Sequence, residues 1–86
     1  MRIEKKTWPE MFQKVLSGEK TCDLRLADFE CRPGDMLVLR EYDPKTKKYS
    51  GRTIEKKVTH VVKTKDLKFW DSKDVEKYGY QVISFK

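Results

Sequence analysis

Between positions 8 and 16 the apolar residues Trp8, Met11, Phe12, Val15 and Leu16 recur at i, i+3, i+4, i+7 and i+8, the single stripe of an amphipathic helix. Thr7 followed three residues later by Glu10 reads as a capping box. Pro9 is tolerated in the first turn because its missing N–H would be unpaired there anyway, and Gly18 suits the left-handed position past the last turn. The spacing predicts a helix over residues 8–17. Immediately afterwards the period changes to that of a strand: Cys22, Leu24 and Leu26 alternate with Thr21, Asp23 and Arg25. Such a strand has one apolar and one hydrogen-bonding face. Asp23 and Arg25 then point the same way, and Lys20 stands at the strand entrance, past the carbonyl end of the helix.

Farther along, Arg32-Pro33-Gly34-Asp35 places Pro and Gly at the central positions of a type II turn. The largely apolar run 36–42 follows as a strand covered on both sides or a central barrel strand. Residues 43–48 read as a polar loop, and residues 49–63 as the returning strand, with Gly51 a candidate bulge and the C-terminal half the better buried. The Lys45, Lys47 and Lys48 run at the tip can track phosphates, although lysines also simply keep an exposed hairpin soluble. A short helix is expected over residues 72–77, and a last strand over 80–85. With a short strand over residues 2–6 before the helix, the order is (β)-α-β-β-β-(α)-β. Hairpin connections and the lack of long crossovers predict an α+β domain whose mixed sheet curls into a small barrel.

The 86 residues suffice for one domain, spanning 1–86, with a small core and a minimal site. A net charge of +6 favours anionic partners. Because 14 acidic residues are interspersed with 20 basic ones, any electrostatic footprint is expected to be local and not a stripe for coating duplex DNA. Two cysteines and one histidine cannot assemble a familiar zinc ligand set, so no metal or other cofactor is expected. Cys22 and Cys31 read as independent thiols, and His60 as a lone strand histidine. No leader pattern or long apolar run stands in the chain, which predicts a soluble cytoplasmic protein without a membrane partner.

Lys6-Thr7-Trp8-Pro9, the helix with Phe12 and Val15, the run from Leu16 to Arg25, Pro33-Gly34-Asp35 before an apolar strand, and Gly79-Tyr80-Gln81-Val82-Ile83 together resemble the small single-domain ASCH proteins of the PUA-like superfamily. The resemblance spans nearly the whole chain. Gly18, Lys20, Asp23 and Arg25 match the order and spacing of that family's signature, except that the acidic position is more often Glu. The resemblance implies a PUA-like pseudo-barrel with a cleft between barrel and first helix that binds RNA or a nucleotide. It also implies enzymatic relatives: an amidohydrolase of acetylated cytidine, whose signature lysine works with a threonine in the acid's position and a glutamate from farther along, and ribonucleases. Here Asp23 occupies that position, and Thr21 is an imperfect substitute two residues earlier.

In such a cleft Asp23 can accept from an exocyclic amine, Arg25 can pair with a phosphate or stack on a ring, and Lys20 and Lys6 can neutralise backbone charge. Trp8 can stack on a base, although its place on the apolar stripe argues for the core. Phe69 and Trp70, in an irregular connection, are freer to line a rim. Lysine acts as nucleophile or general base only when its surroundings strip its proton, and an adjacent carboxylate opposes that. The expected site is therefore Lys6, Trp8, Lys20, Thr21, Asp23 and Arg25, with Lys20 and Asp23 catalytic if the protein is an enzyme. A charged strand face beside a helix end, with no ligand, would show the same spacing.

Overall fold

The computed structural model describes residues 1–83 and 85. Its elements run β1 (Arg2–Thr7), α1 (Pro9–Ser17), β2 (Met36–Asp43), β3 (Lys48–Lys57), a 3-10 turn (Thr64–Asp66) and α2 (Ser72–Tyr78). The strands form an open mixed sheet in the order β1-β2-β3, with β2 parallel to β1 and antiparallel to β3. A parallel pair cannot be joined by a tight turn. The crossover here is α1 together with residues 18–35.

Adjacent residues Val38 and Leu39 on the central strand are both buried, although their side chains leave opposite faces of the sheet. Phe12 and Val15 of α1 complete the buried core. Burying a side chain such as Phe12 contributes about 1.5–3 kcal/mol. Only one row of the apolar stripe is used, since Trp8, Met11 and Leu16 stay exposed.

Helix α1 begins one residue later than a Thr7 cap requires. Proline disfavours the helical region for the residue before it, so Trp8 is extended (φ −63°, ψ 149°) and becomes the cap itself, without a side-chain capping bond. Thr7 is instead the buried last residue of β1. At the other end Gly18 is left-handed (φ 85°) and donates to the Val15 carbonyl at 3.2 Å, and Lys20 N–H donates to the Lys14 carbonyl at 3.0 Å. The chain is thereby folded back across the helix terminus. The 32–35 turn forms as expected: Asp35 N–H donates to the Arg32 carbonyl at 3.0 Å and Gly34 has φ 98°. The hairpin register shifts between Arg40 and Tyr42, opposite Gly51 at φ 94°, which is the expected bulge. Asp71, one residue before the expected helix, caps α2 by accepting from Lys73 N–H at 2.8 Å.

Three expected strand features differ. Residues 21–26 form no strand; Leu24 (72% exposed) and Leu26 (81%) bury nothing, because a period-2 pattern yields a buried face only where a neighbouring strand and an opposing layer exist. The returning strand stops at Lys57. Val58 then exchanges hydrogen bonds with the turn, accepting from Gly34 N–H and donating to the Asp35 carbonyl, both at 2.8 Å, and Val61 and Val62 are exposed rather than the better buried half. Residues 80–83 are not a strand, and position 84 of the expected 80–85 strand lies outside the described residues. Among the described residues the sheet is open and no closed barrel forms.

Candidate functional site

The end of β1, the start of α1 and the segment past α1 meet around a cleft of about 420 Å³, lined by Lys6, Thr7, Trp8, Met11, Lys20, Asp23 and Arg25, with Cys22, Leu24 and Val82. Asp23 is its centre. Its Oδ2 accepts from Arg25 Nε at 2.7 Å and its Oδ1 from Lys20 Nζ at 3.2 Å, all three side chains being partly buried. Sequence spacing placed Asp23 and Arg25 on one side, and they do meet although the segment is not a strand. Extended backbone preserves the alternation even without a partner.

Arg25 is held more firmly than its spacing foretold. Beyond Asp23, its Nη1 donates to the Lys6 carbonyl at 2.7 Å and its Nη2 to the Thr7 hydroxyl at 2.9 Å. The planar guanidinium fork thus staples the segment to the end of β1. Thr7, absent from the sequence-derived site, is the residue that receives it. No sequence pattern pointed to it: the odd positions of β1 face inward, but they read Ile3, Lys5 and Thr7 and show no apolar alternation. Lys20, by contrast, has only Asp23 as a side-chain partner among the described residues, and its ammonium keeps donors for a ligand.

Trp8 is 60% exposed and stands on the cleft wall, not in the core as its position on the stripe suggested. The extended conformation imposed by Pro9 takes it off the helix face. Lys6 lines the cleft and also lays its Nζ 4.4 Å above the Tyr42 ring. Thr21 donates its hydroxyl proton to the Phe85 carbonyl at 3.2 Å. Phe69 and Trp70 are exposed and form an edge-to-face row with Tyr80, with centroids 5.6 and 6.2 Å apart, outside the cleft lining.

A second carboxylate on the inner sheet face was not legible beforehand. Glu41, only 7% exposed, accepts from Arg52 Nε at 3.0 Å and Arg52 Nη2 at 2.8 Å. Those hydrogen bonds, with a further one from Ser50, hold the Glu41 carboxyl at about 2, well below its ordinary value, against the opposing effect of desolvation. Arg52, whose own pKa is raised by Glu41, lies 5.0 Å over the Phe12 ring. The hint was an acidic residue inside an apolar strand run, but its partner across a bulged hairpin follows from no fixed spacing.

A larger and more open cavity of about 570 Å³ between residues 30–32 and 61–67 mixes Glu30 and Asp66 with Arg32 and Lys63 and gathers no single charge type. Among the described residues no three His, Cys, Asp or Glu side chains gather as metal ligands, and no helix is long and apolar enough to cross a membrane. Cys22 and Cys31 are not joined in a disulfide.

Fold and cleft together define a small α+β domain with a basic, tryptophan-walled cleft at the end of its sheet. The chain belongs to the family described as domain of unknown function DUF3850, whose model matches residues 4–84. No curated protein and no solved structure matches it.

Proposed function

We propose that the cleft binds RNA or a nucleotide, as in the ASCH proteins of the PUA-like superfamily that the chain resembles, and that the chain acts as a binding module in the cytoplasm. The observation that carries this reading is the shared carboxylate: Asp23 ties Lys20 and Arg25 together in a cleft that an exposed Trp8 also lines. Lys20 supplies charge for a phosphate, Trp8 a stacking face, and Asp23 an acceptor for an exocyclic amine. Arg25 shapes the wall, since its Nε, Nη1 and Nη2 are already engaged.

An amidohydrolase using Lys20 is the weaker alternative. The amine is ion-paired, and the Thr21 hydroxyl is committed to a main-chain carbonyl. The test is equilibrium binding of a short single-stranded RNA across a salt series. Lys20→Ala is expected to weaken binding and to reduce the slope of log K against log salt by about 1, with no deacetylation of acetylated cytidine by the parent protein. Unchanged affinity and slope in Lys20→Ala would remove the cleft as the site.

A further inference from the structure

We propose that the sheet face beside the cleft carries a single-stranded polynucleotide onward from it, so that the ligand is a strand of several nucleotides; this rests on the nucleotide-binding reading of the cleft. Alternation along β2 separates its two faces: Leu39 and Glu41 lie on the side of Phe12, and Arg40 and Tyr42 on the other. Register brings Lys6 of β1 beside Arg40, and Tyr49 of β3 beside Tyr42. The result is a continuous strip in which cations and rings touch. Lys6 Nζ lies 4.4 Å from the Tyr42 ring centre, the Tyr42 and Tyr49 rings are 5.0 Å apart, and Arg40 Cζ lies 4.0 Å from the Tyr49 ring centre.

Lys6 is shared by the two: its carbonyl accepts from Arg25 at the cleft, while its Nζ lies over the Tyr42 ring of the strip. Tyr49 is 41% exposed, and the hairpin tip beyond it presents Lys45, Lys47 and Lys48, all exposed. Carboxylates are also present on this side: Glu4 lies 4.0 Å from Arg40, and Glu55 pairs with Arg2. Each already faces a donor, which leaves Lys6 and the tip lysines as the charge available to a ligand. A single strand offers stackable bases and phosphates in regular alternation, matching rings interleaved with cations on a protein of net charge +6. On binding, the flexible Lys6 side chain exchanges the Tyr42 ring face for a phosphate, and bases stack on the exposed ring faces.

The experiment compares adenosine 5′-monophosphate with an octaadenylate RNA on the parent, Lys20→Ala, Tyr49→Ala and Tyr49→Phe proteins, with urea unfolding to confirm that each is folded. The octamer is expected to bind more tightly than the monophosphate. Tyr49→Ala should weaken the octamer about tenfold and leave the monophosphate unchanged, and Tyr49→Phe should retain both. If Tyr49→Ala leaves octamer affinity intact while Lys20→Ala weakens both ligands, the strip is overturned and the cleft stands. If Tyr49→Ala weakens the octamer and Lys20→Ala weakens neither ligand, the strip stands and the cleft reading falls. Absence of octamer binding by the parent, or equally tight binding of an oligoglutamate peptide, would overturn the strip as a nucleic-acid path.

Discussion

Asp23 and Glu41 are both carboxylates gripped by an arginine, and the difference between them separates a site from a scaffold. Glu41 is nearly buried and is gripped through both oxygens by one guanidinium fork, with a further hydrogen bond from Ser50, and that fork lies over the core ring of Phe12. Both oxygens of that buried carboxylate are committed to the scaffold. Asp23 divides its oxygens between Arg25 and Lys20 on the wall of a cleft. Arg25 does structural work there by reaching the Lys6 carbonyl and the Thr7 hydroxyl, while Lys20 keeps donor capacity. A saturated bidentate pair is a fastening; a shared carboxylate that positions a half-engaged amine is the start of a binding site.

The largest effect expected bears on the fastening. Phe12→Ala removes the ring beneath Arg52 and leaves a cavity in a core of few side chains, and should destabilise the domain by about 3–5 kcal/mol in urea unfolding. A loss well under 1 kcal/mol would mean that the Glu41–Arg52 pair does not rest on the core. Next comes acid. The folded Glu41 pKa of about 2 lies below its ordinary value of 4.5, so its contribution is complete above the unfolded value and disappears as pH falls through the folded one. Stability should therefore drop from about pH 4.5 towards about 2. Asp35, lowered by the Arg32 N–H and the chain's amino terminus, adds to the loss in the same direction. Glu41→Gln should be less stable than the parent at neutral pH and should show a shallower acid decline. An acid profile identical to the parent's would undo the role given to Glu41. The smallest effect concerns the site: Asp23→Asn keeps the shape and weakens two partly exposed ion pairs, with an expected cost of about 1 kcal/mol or less. If its urea midpoint fell as far as that of Glu41→Gln, the contrast between scaffold and site would collapse.

Local features were readable to the extent that their causes were local. The α1 stripe, Pro9, the left-handed Gly18, the Pro33-Gly34 turn and the Gly51 bulge each express a backbone preference within a few residues. The pairing of Asp23 with Arg25 was also legible, since alternation is a property of extended backbone whether or not a strand forms. The supposed strand around them was not, because pairing depends on a distant neighbour. Trp8 was misread for a different reason: the helical wheel counted it as a stripe residue, whereas Pro9 places it at the cap.

By itself the sequence determined a basic α+β domain, the helix and hairpin, and the side-by-side placing of Asp23 and Arg25, because short-range sterics and periodicity act without the rest of the fold. The tertiary structure decided where the strands end, that Thr7 receives Arg25, that Glu41 is locked by Arg52, and that Lys6 joins the cleft to the Tyr42–Tyr49 strip. Each of these depends on residues brought together from separate segments, and such meetings are set by packing and strand register, which sequence spacing does not encode.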